Sequence, residues 1–173
     1  MKFTEKIYIT SIGKVSINAG KKSDIPNVLA FIKKVNYNNS SIRDIDEDNC
    51  TIDEEKQIID IFSKDNNLFL IARLDETIIG TATLTSFSFK RWQHKGHFGI
   101  LISSDYRRKG IGDLLLENCK SFAVANEITN ISLIVHKENN NAINMYEKNG
   151  FTINNFLSDT IHKTNNLNMS LVL

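Results

Sequence analysis

The sequence predicts a mixed α/β domain in which one sheet carries helices on both faces. Three observations lead there. Short apolar runs bounded by turn residues recur along the chain. Between them lie longer segments whose apolar residues return every three or four positions. The two kinds follow the order strand, two helices, three strands, helix, strand, helix, two strands. At 173 residues the chain fits one domain, 1–173, with no Pro-, Gly- or Ser-rich linker and no internal repeat. A domain of this length buries roughly 70% of its unfolded surface, so it needs no disulfide or metal for stability.

Lys14 to Ala19 reads as the first strand, with Phe3 to Thr10 returning against it as a hairpin through Ser11 to Gly13. A helix starts near Asp24, where Ser23 or Asp24 is the expected cap and Pro26 suits the first turn. Val28, Leu29, Ile32 and Val35 form its stripe. A second helix starts near Thr51, where Thr51 and Glu54 make a capping-box pattern ahead of Ile58, Ile59 and Phe62. Leu68 to Leu74 is a strand, Asp75-Glu76 its turn and Thr77 to Phe87 the returning strand. Gly96 to Ser103 is the next strand. From Gly110 to about Asn126 a helix places Leu115, Cys119 and Phe122 on one face and Asp113, Glu117 and Lys120 away from it. Ile131 to His136 is a strand and Asn140 to Asn149 a helix, with Gly150 as its left-handed cap. Phe151 to Leu173 supplies two closing strands.

Composition narrows the function classes. Lys plus Arg total 21 and Asp plus Glu total 20, so no global basic field invites nucleic acid. A small basic patch around one anionic ligand stays open. Cys50 and Cys119 have no metal-ligand spacing and read as inert thiols in a reducing cytoplasm. Met1 to Thr10 lacks the apolar core of a signal peptide, and no apolar run approaches ~20 residues. The expectation is a soluble cytoplasmic protein away from membranes.

The chemistry concentrates between Gly99 and Leu116. An apolar strand enters the turn Arg107-Arg108-Lys109-Gly110-Ile111-Gly112, which opens an amphipathic helix. The first helical N–H groups lack internal partners and carry partial positive charge, which makes an anion site. Gly110 and Gly112 keep side chains out of a phosphate's way, and the three cations add charge. The turn is neither a Walker loop nor the Rossmann fingerprint, since Leu115 stands where the third glycine would be. By itself a Gly-x-Gly pair leaves phosphate binding and simple packing both open.

Arg-x-x-Gly-x-Gly at Arg107, Gly110 and Gly112 resembles the signature of GNAT-type N-acetyltransferases. Ile100 to Tyr106 is similar to that family's approach to the turn, with Ser104 where many members carry proline. The second half is present as well. Ile131 to His136 is followed by Asn139 and then by Ala142-Ile143-Asn144-Met145-Tyr146-Glu147-Lys148-Asn149-Gly150-Phe151. The resemblance covers about Leu68 to Phe151, and Asn168 to Leu171 also resembles the family's last strand. The first 65 residues match in layout only.

The resemblance implies a mostly antiparallel sheet with a splayed parallel pair in the middle, and acetyl-coenzyme A as co-substrate. The pantetheine arm would enter between Gly96–Ser103 and Ile131–His136, bonded by backbone groups of Ile100, Leu101 and Ile102. An N–H of Leu101 or Ile102 would face the thioester oxygen. N–H groups from Arg108 to Gly112, with Arg107 and Lys109 beside them, would hold the diphosphate. Asn139 would bond the cofactor's far arm. Tyr146 stands where members carry a tyrosine near the sulfur, and either donates to the departing thiolate or only packs beside Ala142 and Phe151. His97 stands where many members place a glutamate base; it reads equally as a base and as a structural histidine. His136 is a weaker candidate. His94 and His97 face opposite ways, and no metal is expected.

The implied reaction is direct attack of a primary amine, of a small molecule or protein, in a ternary complex. The alternative is a non-catalytic acyl-coenzyme A-binding regulatory module, which would need no Tyr146. A nucleotide-phosphate binder of another fold is a weaker reading. In this family the acceptor enters near the loop after the first helix, here Tyr37 to Cys50 with Asp44, Asp46, Glu47 and Asp48. Those carboxylates either attract a cationic acceptor or form a solvated loop. Phe87, Phe89 and Trp92 read as core and rim packing or as a partner surface. Dimerisation is common in the family, so a homodimer is among the expectations.

Overall fold

The structure, a computed structural model, describes residues 3–37, 61, 67–86, 89–159 and 164–173. Its strands are β1 (Lys6–Thr10), β2 (Gly13–Ala19), β3 (Leu68–Leu74), β4 (Thr77–Ser86), β5 (Lys95–Ile102), β6 (Asn130–His136), β7 (Thr152–Asp159) and β8 (Thr164–Val172). Helices α1 (Ile25–Tyr37), α2 (Ile111–Ala125) and α3 (Asn140–Lys148) lie between them. One eight-stranded sheet runs in the order β1-β2-β3-β4-β5-β6-β8-β7. Every neighbouring pair is antiparallel except β5 and β6. The predicted mixed sheet with a central parallel pair is the observed one. The last strand inserts between β6 and β7, an order that two closing strands in sequence did not specify.

Alternation divides the sheet into two faces. One face carries Leu70, Ala82, Leu84, Phe98, Leu133 and Met169, all buried. Helix α2 covers it with Leu115, Leu116, Cys119 and Phe122, as its stripe predicted, and α3 adds Tyr146. On the other face, Val28 of α1 packs on Phe69 and Ile71, with Ile32, Ile61 and Ile78 around them. Each large apolar side chain buried this way contributes about 1.5–3 kcal/mol relative to exposure. Among the described residues, two helices on one face and one on the other account for the apolar stripes of α1, α2 and α3.

The start of α1 differs from expectation. A 3-10 turn over Lys22–Asp24 leads into the helix at Ile25. Asp24 does not cap forward. Its carboxylate accepts the Lys21 N–H at 2.8 Å and the Arg73 guanidinium of β3 at 3.0 Å. A tertiary ion pair has taken the side chain that local capping would use. The expected helix from Thr51 to Phe62 lies outside the described residues except for Ile61, which is helical. Phe87, Cys50 and the acidic loop from Asp44 to Asp48 lie outside them too.

Candidate functional site

The site begins where the two parallel strands part. β5 is paired with β4 from Gly96 to Ile102. With β6 it pairs only at Lys95↔Asn130, Gly96↔Ile131 and His97↔Ser132. β6 meanwhile stays on β8 as far as His136. Beyond His97 the strands therefore diverge, and a gap opens between two backbones.

Register decides which groups face that gap. Ser103 donates its N–H to the Ile79 carbonyl at 3.1 Å, continuing the β4 ladder. Backbone direction alternates along a strand, so Leu101, Gly99 and His97 also turn their N–H and C=O toward β4. Phe98, Ile100 and Ile102 turn theirs toward the gap. This corrects one expectation: Leu101 pairs with Thr81, and its N–H is not offered to a ligand in the gap. Across the gap, Leu173 donates to the Thr129 carbonyl and Lys137 to the Asn165 carbonyl, both at 2.9 Å. By the same alternation Ile134 and His136 present their backbone groups to the opening, while Ser132 is still paired with β5. At its mouth the Arg107 Nε–H donates to the Ile102 carbonyl at 3.2 Å. No sequence signal pointed to that bond.

The basic turn follows. Ser104–Tyr106 forms a 3-10 turn in which Tyr106 donates to the Ser103 carbonyl at 3.0 Å. Arg108 has φ +57° and Gly110 φ +79°, so the chain twice enters the left-handed region. A non-glycine residue held there costs about 1–2 kcal/mol, and such strain gathers at functional turns. The first helical bond runs from the Leu114 N–H to the Gly110 carbonyl at 3.1 Å. The N–H groups of Ile111, Gly112 and Asp113 precede it and have no helical acceptor. The side chains of Arg107, Arg108 and Lys109 are exposed around them.

The two glycines serve different ends. A Cβ on Gly110 would meet nothing within 4 Å, so this position is open to a ligand and needs glycine for its φ. A Cβ on Gly112 would lie 2.6 Å from the Met145 sulfur. The absent side chain at Gly112 makes room for Met145 of α3. Asn149 donates to the Asp113 carboxylate at 2.9 Å, tying the end of α3 to the start of α2. Ile111 is buried, so only its N–H is available to a ligand.

Tyr146 is buried and meets Phe98 edge to face, with ring centroids 6.3 Å apart, and Phe151 at 5.7 Å. Its hydroxyl bonds no described residue. No fully buried side-chain oxygen or nitrogen lacks a partner among the described residues, so that hydroxyl must reach open space. Burial pushes its pKa up to about 12, which keeps the phenol protonated at neutral pH.

His97 lies on the opposite face, between Thr85 of β4 and Ser132 of β6. It is half-buried, and burial lowers its pKa, favouring neutral imidazole. The ring bonds no described residue. Tyr146 and His97 thus lie on opposite faces of the sheet, each beside β5. His136 is engaged locally, with Nδ1 accepting the Glu138 N–H at 3.3 Å. Asn139 caps α3 through Oδ1, which accepts the Ala142 N–H at 3.3 Å, leaving its amide N–H groups for any ligand. His94 precedes β5 and does not alternate with His97.

Cys119 is a buried free thiol whose pKa burial raises steeply, unsuited to nucleophilic work. Among the described residues no group of three or more His, Cys, Asp or Glu could hold a metal ion. No helix among them is long and apolar enough to cross a membrane.

Comparison with known proteins bears on this geometry. The model of the acetyltransferase (GNAT) family matches residues 36–151. A GNAT-family acetyltransferase from Streptococcus pneumoniae superposes with a TM-score of 0.80 at 27% identity, covering 92% of this chain and 99% of that one. A ribosomal-protein-alanine N-acetyltransferase from Brucella melitensis shares the fold at TM-score 0.76 and 20% identity, covering 91% and 99%. An N-acetyltransferase from Staphylococcus aureus Mu50 does so at 0.76 and 20%, covering 91% and 98%. Comparison with curated protein sequences finds no match. The family model spans both halves of the motif, the basic turn and the Asn139 to Phe151 segment, so the chain belongs to the GNAT family of acetyltransferases.

Proposed function

We propose that the chain moves an acetyl group from acetyl-coenzyme A to a primary amine of a small molecule or protein, by direct attack in a ternary complex. The observation that carries this is the gap between β5 and β6, with a protonated phenol on one side of the sheet and a neutral imidazole on the other. Acetyl-coenzyme A supplies the acyl group as a thioester.

Each residue then has a task. The N–H groups of Ile111 and Gly112 and the exposed cations Arg107, Arg108 and Lys109 bind the diphosphate. Ile100 and Ile102 bond the pantetheine amides from the open edge of β5 in the manner of strand addition. One of their N–H groups donates to the thioester oxygen as charge builds there. His97 takes the proton the amine sheds, directly or through water. Leu101 is left out, because its backbone groups are spent on β4.

For Tyr146 magnitudes decide between two roles. A phenol near 12 is a weak proton donor to a thiolate whose acid has a pKa of about 8.5. Full transfer runs uphill by about 5 kcal/mol at these values. Tyr146 therefore acts chiefly as a hydrogen-bond donor to the departing sulfur, and solvent completes the thiol.

A cytoplasmic setting belongs to the same reading. The test is release of coenzyme A thiol with a panel of primary amines. Amine-dependent release supports the reading. Tight acetyl-coenzyme A binding with no release for any amine would leave a binding module instead.

A further inference from the structure

At the point where β5 and β6 part, a row of polar side chains crosses the sheet. Pairing places Thr85, His97, Ser132, Ser170 and Thr152 side by side on β4, β5, β6, β8 and β7. The matching row on the other face is Leu84, Phe98, Leu133 and Met169, which is core. Hydroxyls therefore line one face of the sheet at the level where His97 stands.

The two hydroxyls flanking His97 each have a backbone carbonyl within reach. Thr85 Oγ1 donates to the His97 carbonyl at 3.4 Å, and Ser132 Oγ donates to the Gly96 carbonyl at 3.3 Å. A hydroxyl held this way keeps its lone pairs for an incoming donor. Thr85 lies on the β4 side of His97, away from the gap. Ser132 lies on the gap side, on the last rung before the opening.

We infer that Ser132 is a positioning residue for the acceptor: its Oγ accepts a hydrogen bond from the attacking amine while His97 takes the amine's other proton. The inference rests on the acetyl-transfer reading above. Two acceptors sharing one tetrahedral nitrogen at about 2.9 Å each sit roughly 4.7 Å apart. Neighbouring strands are spaced at about 4.8 Å, so side chains on one rung suit such a pair. The step balances simply. The C–N bond forms as the C–S bond breaks, one N–H proton passes to His97, and the other remains on the product amide, held by Ser132. The sulfur leaves as thiolate and gains its proton from solvent. A primary amine supplies both N–H groups. A secondary amine has one, which His97 must take, and leaves Ser132 without a donor. Ser132 thus selects for primary amines without any carboxylate.

The test uses butylamine, phenethylamine and alanine amide, each against its N-methyl counterpart, with coenzyme A release as readout. Ser132→Ala should raise KM for the best primary amine about tenfold, the size of one lost hydrogen bond. It should also narrow the preference over the N-methyl amine, while KM for acetyl-coenzyme A and the acid limb of the pH profile stay put. Ser132→Thr, which keeps the hydroxyl, should recover most of the loss. Unchanged amine KM and unchanged amine preference in Ser132→Ala would overturn the inference and leave acetyl transfer standing. Equal impairment of the Ala and Thr variants would also overturn it, by showing a packing role. No amine-dependent release from the wild-type protein would overturn both readings together.

Discussion

Met145 fills the space that a side chain on Gly112 would need: a Cβ there would sit 2.6 Å from the methionine sulfur. The glycine nearest the helix start thus serves the packing of α3 on α2. Replacing it with Ala adds some helix propensity, up to about 1 kcal/mol, but overpacking of this kind costs about 1–3 kcal/mol. Gly112→Ala should lose about 1 kcal/mol of stability in the wild-type background. In a Met145→Ala background the same change should be neutral or stabilising. Urea unfolding of the four proteins gives the coupling directly. An equal loss in both backgrounds would show that Met145 is not what the glycine accommodates.

Removing the Tyr146 hydroxyl isolates its part in the chemistry. As a hydrogen-bond donor to a charged sulfur it is worth about 1.5–3 kcal/mol, or roughly 10- to 150-fold in rate. Tyr146→Phe should therefore lower kcat by that factor and leave KM for acetyl-coenzyme A nearly unchanged. The ring contacts with Phe98 and Phe151 survive the substitution, so folding is preserved. A loss beyond a thousandfold would point to obligatory proton transfer, and no loss would remove Tyr146 from the reaction.

The parts of this site that could be read from sequence are those written in one short stretch. Strand, basic turn and helix run continuously from Gly99 to Leu116, and the Asn139 to Phe151 segment is equally local. Alternation within β5 was enough to separate His97 from Phe98. The identity of the backbone groups facing the gap was not legible, because it depends on how β5 registers with β4. The Ser103 to Ile79 bond sets that register, and it turns Leu101 toward β4 while leaving Ile100 and Ile102 facing the gap. The same limit applies to Asp24, whose expected local cap was displaced by Arg73 from β3. Gly112 illustrates it again: the reason for the glycine lies on another helix. Local pattern identified the elements, and long-range pairing decided what each polar group faces.

His97 should set the acid limb of the rate profile. Burial disfavours the imidazolium, so its pKa lies below the usual 6.5. The active neutral form then persists to lower pH than for a free histidine. kcat/KM for the amine should fall with acid about a midpoint below 6.5, and His97→Ala should lose that limb along with much of kcat. Any limb common to both proteins belongs to the amine's own ionisation. Identical acid limbs in wild type and His97→Ala would exclude His97 as the base.

The same burial that keeps Tyr146 protonated ties stability to alkaline pH. In the unfolded chain a tyrosine ionises near 10, and in the folded protein Tyr146 holds its proton to about 12. Between those values the unfolded state binds fewer protons than the native one, so stability falls as pH rises. Below pH 10 both states are neutral and the full contribution is present. The two-unit gap corresponds to at most about 2.7 kcal/mol, lost progressively through that window. Tyr146→Phe has nothing to ionise at this position. Urea unfolding at pH 8 and pH 11 should therefore show the wild-type protein losing about 1 kcal/mol more than the variant, since pH 11 lies halfway through the window. Every other group is common to both proteins and cancels in the difference. Equal losses in the two proteins would mean that burial does not hold the Tyr146 proton, which would weaken its claim on the departing sulfur.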